Sequence, residues 1–528
     1  MGAKQLLAAR APLRIRTAVL LLFYTAALVL LRDRVPAGLC NDIAEEALRS
    51  IRLVESGAFE VLSFFGSDRL TSSNPGPERL NHSAETLYLY LQGWVIRALG
   101  ATTLAVQITS WVFAAACVVL FGSLMRRVEP QLPHWAALLL AAGSVWLFHY
   151  ARSGGRPISA PFFLILLTWT LTLSEGSPDR RLPALACGVV LGLSLYAYTA
   201  CRILPLTMIL YLAIRWVRNR KAGAVSLPHY GWLAIGFLVL SIPNLLAFAS
   251  SPGTLLSRGA YVLPPSPGAM AKNLFWSCLL PFHYSSDYRM VAGFNPSFSV
   301  DGVSAGLMAA DLNPLHPLAA ALLILGLLRC WRRRDHPCVL FLACAWLVAT
   351  LILGVSGPSL TRMFIVLPVY LAVAAIGTAE LIERWPRAKV GVAATLALLI
   401  ASHAYAYFGR FAASERAQFY FSPAATPIGQ RARQLAHGGQ RVLCVVSKDA
   451  SVVQYLTEER RQRVRIAEFY FRPFNPLELP LLDFDPQVVL IERAPAFERF
   501  RLGFAPERIQ TVDPHFFELR LSAPRILK

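Results

Sequence analysis

The chain has 528 residues, and its 51 Lys and Arg outnumber its 31 Asp and Glu, which gives a formal net charge of +20. Only 16% of the residues are charged while 55% are hydrophobic, a composition too apolar for an ordinary soluble enzyme. The 30 Phe, 17 Tyr and 11 Trp residues exclude an intrinsically disordered chain, because such chains are poor in aromatic residues. The positions of the basic residues along the chain show what the excess positive charge indicates.

Apolar segments recur along the first 407 residues. A bilayer core needs roughly 20 residues of apolar helix to cross it, and eleven segments approach that length. They lie at about 15–32, 102–125, 133–150, 157–174, 183–200, 202–217, 229–249, 312–329, 337–355, 363–382 and 388–407. Ionisable residues are almost absent from them, which argues against an ion or proton pathway through the bundle. The sequence therefore predicts an α-helical integral membrane protein with about 11 transmembrane helices.

The basic residues are distributed unevenly between alternate loops. With the N-terminus inside, the inner loops hold nineteen Lys and Arg, from Lys4 to Lys389. The three short outer loops hold four, which are Arg152, Arg156, Arg202 and Arg362. Lys and Arg concentrate on the cytoplasmic side of membrane proteins, so the excess charge is mainly a topology signal and no nucleic-acid partner is expected. This pattern predicts a cytoplasmic (inner) membrane protein whose C-terminal segment is periplasmic.

Three regions are expected outside the bilayer. Two are outer loops of the membrane domain (1–407), at about 33–101 and 250–311. The third, 408–528, has ordinary soluble charge density and is predicted to be a small extracytoplasmic α/β domain. Its strands are expected at 441–447 and 487–491, and its helices at 424–437 and 451–461. It contains no glycine-rich phosphate-binding motif, so nucleotide binding is not supported.

The segment Ala84 to Leu99, within the first outer loop, has the pattern of an interfacial amphipathic helix. Its apolar residues recur at intervals of three and four and share one face. They are Leu87, Tyr90, Leu91, Trp94, Val95 and Ala98.

An acidic cluster follows the first apolar segment by about nine residues. Asp42 precedes Glu45 and Glu46 by three and four positions, so a helix starting there would hold these carboxyl groups on one face. One interpretation is helix capping, since Asp followed by Glu near the third helical position is a common helix start. The other is a catalytic site at the outer surface of the membrane.

Five short segments support the catalytic interpretation. They are Val54-Glu55-Ser56-Gly57, Leu89 to Gly100 (LYLQGWVIRALG), Ala151 to Arg156 (ARSGGR), Leu195 to Arg202 (LYAYTACR) and Ser359 to Arg362 (SLTR), which precedes Leu367-Pro368. With an acid just after the first helix, they resemble the polyprenyl-phosphate-sugar-dependent glycosyltransferases of the GT-C superfold. The nearest relatives by this resemblance are the protein O-mannosyltransferase and aminoarabinose transferase group. The resemblance covers about residues 15–400 and implies a GT-C-like fold.

The chain departs from that family at one place. Many members have a His-Pro-Pro-Leu-like stretch before the interfacial helix, whereas this chain has Asn81-His82-Ser83-Ala84-Glu85. His82 is the residue that corresponds most closely to the family histidine. His82, Tyr198 and His283 are predicted to contact the acceptor or the sugar.

The resemblance implies transfer of a sugar with inversion, which requires one general base. Asp42 is the predicted base, and Glu45 or Glu46 is expected to orient the acceptor. Guanidinium groups suit the phosphate of the leaving lipid. The predicted phosphate ligands are Arg152, Arg156, Arg202, Arg362 and Arg258. Alternatively, an isolated arginine on the outer side extends its side chain so that the guanidinium group reaches the lipid headgroups.

No cofactor is expected. Some members of the superfold need a divalent metal, but the sequence has no Asp-x-Asp and no second acidic cluster near Asp42, so an essential metal is not predicted. The expected partners are a polyprenyl-phosphate sugar donor, membrane lipids, and a lipid, glycan or protein acceptor. Two other functions stay open: a transporter or flippase of lipid-linked glycans, and a non-catalytic membrane scaffold whose C-terminal domain binds a partner.

Overall fold

A computed structural model describes most of the membrane bundle and much of the C-terminal domain. The described residues are 21–30, 38–57, 62–64, 83–176, 181–221, 227–250, 266–279, 317–356, 360–411, 421, 424–446, 450–468, 486–493, 509–513 and 516–520.

Every predicted apolar segment contains at least one helix. In chain order, the α-helices among the described residues up to 411 are α1 (Leu21–Leu30), α2 (Asn41–Ser56), α3 (Leu87–Leu99), α4 (Thr103–Val128), α5 (His134–Ala142), α6 (Val145–Ser153), α7 (Ser159–Glu175), α8 (Arg181–Ser194), α9 (Ile203–Lys221), α10 (Leu227–Ser250), α11 (Pro267–Cys278), α12 (Pro317–Arg332), α13 (Pro337–Ile352), α14 (Leu360–Met363), α15 (Leu367–Arg384) and α16 (Ala388–Ala404). A two-stranded antiparallel ribbon, β1 (Leu62–Phe64) with β2 (Ser83–Glu85), precedes α3.

The predicted count of eleven spans is not confirmed. Among the described residues, six helices are long and apolar enough to cross a membrane, or seven if the pair α12 and α13 counts as one broken span bent by 118°. The predicted span at 133–150 is divided into α5 and α6, because Ser144 caps α6 through its side chain, which accepts a hydrogen bond from the Leu147 amide. Hydropathy alone does not detect such breaks, since the apolar composition continues through them.

α3 confirms the predicted helix, and its position at the membrane surface stays a prediction. Leu91 and Trp94 on its apolar face are exposed. The opposite face, which includes Tyr88, Gln92 and Ile96, is buried in the protein. The helix begins at Leu87 rather than Ala84, because Ala84 and Glu85 belong to β2.

Many of the basic residues assigned to inner loops form ion pairs at the end of the bundle where α4 finishes, here called the opposite end. The Arg329 side chain bonds to Glu129, which is 1% exposed, and also to Glu380 and Glu383. Arg333 also reaches Glu129, and Arg332 reaches Glu380. Burial of such charges is tolerated only when they are paired, so these residues join the helix ends.

The C-terminal domain has the predicted α/β organisation. Its elements are α17 (Ala425–His437), β3 (Val442–Val446), α18 (Ala450–Thr457), β4 (Val464–Glu468), β5 (Val488–Glu492), β6 (Ile509–Asp513) and β7 (Phe516–Arg520). The sheet order is β4-β3-β5-β7-β6, with β3 parallel to β4 and β5, and β7 antiparallel to β5 and β6. β3 is buried along its whole length, as its uninterrupted apolar sequence predicts.

α2 lies between the membrane bundle and the C-terminal domain. Its apolar residues Ile43 and Ala47 share a core with Ile428 and Tyr455 of the C-terminal domain. Burial of these side chains is the main attraction between the two parts of the chain. The helix predicted to carry the catalytic acids is therefore held from both sides.

Candidate active site

The three predicted acids lie together in the first turns of α2. Cys40 occupies the N-cap position and Asp42 is the second helical residue, so Asp42 is not the capping residue. Asp42 is exposed, whereas Glu45 and Glu46 are half-buried. A carboxylate in the first turn is stabilised by the helix dipole. Asp42 thus presents a charged, accessible carboxylate at the end of the bundle where α4 begins, here called the site end.

Two acids and two arginines form an alternating series at the site end, here called the charge chain: Glu46, Arg156, Glu85 and Arg202. Arg156 Nε lies 2.6 Å from Glu46 Oε1, and its Nη1 lies 3.1 Å from Glu85 Oε2. Arg202 Nη2 lies 2.7 Å from Glu85 Oε1. These four residues come from four separate segments of the chain, so the arrangement exists only in the folded protein.

Neighbouring side chains complete the environment of the charge chain. Thr199 Oγ1 donates a hydrogen bond of 3.0 Å to Glu85 Oε2. The Tyr198 ring lies against the Arg156 guanidinium at 5.6 Å. The Phe248 ring lies against Arg202 at 4.7 Å, and both ring contacts have cation–π geometry. The predicted role of Tyr198 in binding acceptor or sugar stays a prediction, since in this structure its ring packs on Arg156.

Glu85 is a site residue that the sequence did not predict. It is fully buried, with 0% of its surface exposed, and it contacts two guanidinium groups. No second acidic cluster was expected near Asp42, yet Glu85 and Glu46 both contact the guanidinium group of Arg156. The available signal was an isolated acid directly before an interfacial helix, because an acid in such a position is buried only with a partner. Sequence spacing does not identify that partner.

The turn after α6 is shaped to place Arg156. Gly154 has a φ of +87°, a left-handed conformation that residues with a side chain rarely adopt, and a Cβ there would lie 2.8 Å from Val106 Cγ1. Its carbonyl accepts hydrogen bonds from Tyr88 Oη at 2.8 Å and Gln92 Nε2 at 3.1 Å. Burial raises the pKa of Tyr88, so its hydroxyl stays protonated and remains a donor.

The same network reaches α2. Ser50 Oγ of α2 donates to Gln92 Oε1 of α3 at 2.9 Å. Gln92 therefore connects α2 with the glycine turn that precedes Arg156. Buried polar groups that are mutually satisfied rigidify the elements they join.

Two further predicted arginines lie elsewhere at this end of the bundle. Arg152 is 2% exposed, and its guanidinium lies 5.0 Å from the centre of the Phe421 ring. Arg362 is half-buried in the short helix α14. The adjacent Thr361 accepts a hydrogen bond of 2.7 Å from Tyr150 of α6, the helix that carries Arg152. α14 and α6 therefore pack together near these two arginines.

Three predicted site residues, His82, Arg258 and His283, lie outside the described residues. Within the described ranges, no group of three or more His, Cys, Asp and Glu side chains is arranged to hold a metal ion.

Comparison with solved structures identifies the fold, whereas sequence comparisons give no match. No protein-family model matches the sequence, and no curated protein sequence matches it. ArnT from Cupriavidus metallidurans, a GT-C aminoarabinose transferase, is similar in structure. Its crystal structure bound to undecaprenyl phosphate matches with a TM-score of 0.53 and 12% identity, over 97% of this chain and 98% of that chain. Its apo structure matches with a TM-score of 0.52 and 13% identity, over 96% and 98%. The chain is therefore an α-helical integral membrane protein with a GT-C-like fold.

Proposed function

We propose that the protein is a glycosyltransferase that moves a sugar from a polyprenyl-phosphate-linked donor to an acceptor at the outer face of the membrane. The observation that carries the proposal is the convergence of Asp42 and the charge chain at one end of a GT-C-like bundle. The likeness over nearly the whole chain to a transferase crystallised with undecaprenyl phosphate supports the choice of donor.

In the proposed reaction, the acceptor oxygen or nitrogen attacks the anomeric carbon of the sugar. The bond between that carbon and the phosphate oxygen breaks, and its electron pair leaves with the lipid phosphate. Asp42 takes the proton released by the acceptor, which is the task of a general base. One displacement inverts the configuration, so the reaction needs no carboxylate nucleophile. Glu45 or Glu46 is proposed to orient the acceptor.

The leaving lipid phosphate needs fixed positive charge. Arg202 uses Nη2 for Glu85, and its buried Nε has no hydrogen-bond partner among the described residues, which leaves a donor for a phosphate oxygen. Arg152, Arg362 and Arg258 stay predicted phosphate ligands. Arg156 shares its guanidinium between Glu46 and Glu85, so we propose that it acts in this conformation by positioning Glu46.

The location that fits this chemistry is the cytoplasmic (inner) membrane. The charge distribution of the loops favours a cytoplasmic N-terminus and a periplasmic C-terminal domain, with the charge chain on the periplasmic side. The acceptor is proposed to be a lipid, a glycan or a protein, and the sugar a hexose or a pentose.

Release of lipid phosphate tests the proposal. The purified protein is incubated in lipid nanodiscs with a panel of polyprenyl-phosphate sugars and candidate acceptors, and free polyprenyl phosphate is measured. At least one donor is expected to release polyprenyl phosphate in proportion to the sugar transferred. Absence of release with every donor would contradict the proposal, and movement of an intact donor across a liposome membrane would favour a transporter.

A further inference from the structure

The C-terminal domain packs directly on α2, the helix that carries Asp42. Ile43, Ala44 and Ala47 of α2 lie in one buried cluster with Val452 and Leu456 of α18. These α2 residues are on the turns that also carry Asp42 and Glu46. Movement of α18 away from α2 would expose apolar side chains in those turns, so the apolar contact holds the two helices together.

A polar contact joins the two helices at the site itself. Ser451, in the first turn of α18, places its Oγ 3.5 Å from Glu45 Oε1. The same carboxylate oxygen accepts a hydrogen bond of 3.0 Å from Asn41 Nδ2. Glu45 thus links the first residue of α2 to the start of α18, two positions that are about 400 residues apart in sequence.

The C-terminal domain also forms hydrogen bonds with the turn between α3 and α4. Tyr455 Oη donates to the Thr102 carbonyl at 3.0 Å, and Arg433 Nη1 donates to the Ala101 carbonyl at 2.8 Å. Glu459 accepts from the Ala101 amide at 3.3 Å. Burial raises the pKa of Tyr455, so this donor stays protonated. The helix that precedes this turn, α3, contains Gln92, which bonds to α2.

The segment before α2 packs tightly against the start of the C-terminal domain. A Cβ at Gly38 would lie 2.0 Å from the Phe421 carbonyl oxygen, far closer than any real contact. The Phe421 ring in turn packs on Arg152, a predicted phosphate ligand. Phe421 therefore contacts both the segment that leads into α2 and Arg152 of the proposed donor site.

We propose that the C-terminal domain positions α2 for catalysis. Its α17 and α18 hold the first turn of α2, the 38–40 segment and the 101–102 turn, and thereby fix the place of the Asp42 carboxylate relative to the charge chain. The domain acts through α2 and does not bind the acceptor itself. This inference rests on the proposed glycosyltransferase function for its kinetic readout, but not for its structural readout.

Gly38→Ala tests the proposal, because the added methyl group forces the 38–40 segment away from Phe421. Gly391→Ala is the matched control, since a Cβ at Gly391 meets nothing within 4 Å. The full-length proteins are compared in nanodiscs by kcat, by KM for donor and acceptor, and by hydrogen exchange of the α2 amides. The double variant Ser451→Ala with Tyr455→Phe repeats the test if Gly38→Ala does not fold.

Gly38→Ala is expected to lower kcat by about 10-fold to 100-fold, with both KM values within a factor of about two and faster exchange in α2. Gly391→Ala is expected to match the unmodified protein in every readout. A raised KM for the acceptor with unchanged kcat would overturn the inference in favour of acceptor binding by the domain. Unchanged α2 exchange would overturn it even if no donor were ever turned over. Absence of turnover by the unmodified protein would count against the proposed function instead.

Discussion

Asp42→Asn is expected to lower kcat for sugar transfer by about 100-fold to 10,000-fold, the contribution typical of a general base. The amide keeps the size and planar shape of the carboxylate but is too weakly basic to take the proton that the acceptor loses. Asp42 is exposed on α2, so a replacement of the same size is expected to leave the fold intact. Steady-state kinetics and binding of a labelled polyprenyl-phosphate sugar together check the prediction, since donor affinity is expected to stay unchanged.

Glu55→Gln is the matched control for this variant. Glu55 is also an exposed acid of α2, but it lies at the far end of the helix. Its neutralisation changes the net charge by the same amount and is expected to leave kcat unchanged. Full activity of Asp42→Asn would refute the assignment of the base, and equal losses in both variants would point to a general effect of charge.

Glu85→Gln is expected to lower both stability and turnover. The substitution leaves Arg156 with one carboxylate partner instead of two and removes the charge that faces Arg202. Loss of one partner from a buried ion pair costs about 3 to 5 kcal/mol, because an uncompensated charge stays buried. Arg156 also orients Glu46, so kcat per folded molecule is expected to fall by roughly 100-fold. Thermal unfolding and kinetics normalised to folded protein measure the two effects separately.

Glu129→Gln at the opposite end supplies the comparison. Glu129 is as deeply buried as Glu85 and also pairs with two arginines, Arg329 and Arg333. Its replacement is expected to lower the unfolding temperature by a similar amount without changing kcat per folded molecule. If Glu85→Gln behaved in the same way as Glu129→Gln, the charge chain would be a structural element with no part in transfer.

Patterns local in sequence predicted much of the fold. The apolar segments predicted the membrane helices, since burial in lipid demands apolar side chains along a whole helix. The continuous apolar runs near 442 and 488 predicted β3 and β5, two of the three interior strands of the C-terminal sheet. The spacing of Asp42, Glu45 and Glu46 predicted a shared helix, which α2 confirms.

Contacts between distant segments were not predictable in this way. Glu85 pairs with Arg156, 71 positions away, and with Arg202, more than 100 positions away. An isolated acid in a loop carries no information about which of several arginines it meets. The contact between Ser451 and Glu45 is longer in range still, because it depends on how a separate domain packs on α2. The number of spans was equally hard to predict, since the charged residues 332–336 between α12 and α13 do not reveal whether they join two separate spans or lie at a 118° bend within one.

The headgroup of a polyprenyl phosphate is expected to bind at the site end, beside the charge chain. Photocrosslinking tests it most directly, with a polyprenyl phosphate that carries a diazirine on its first isoprene unit and a matched polyprenyl alcohol as control. After digestion, crosslinks specific to the phosphate are expected in residues 83–90, 150–156 and 196–202, and unlabelled polyprenyl phosphate should compete them away. Crosslinks concentrated around Glu129 and Arg329, or an identical pattern with the alcohol, would exclude phosphate binding beside the charge chain.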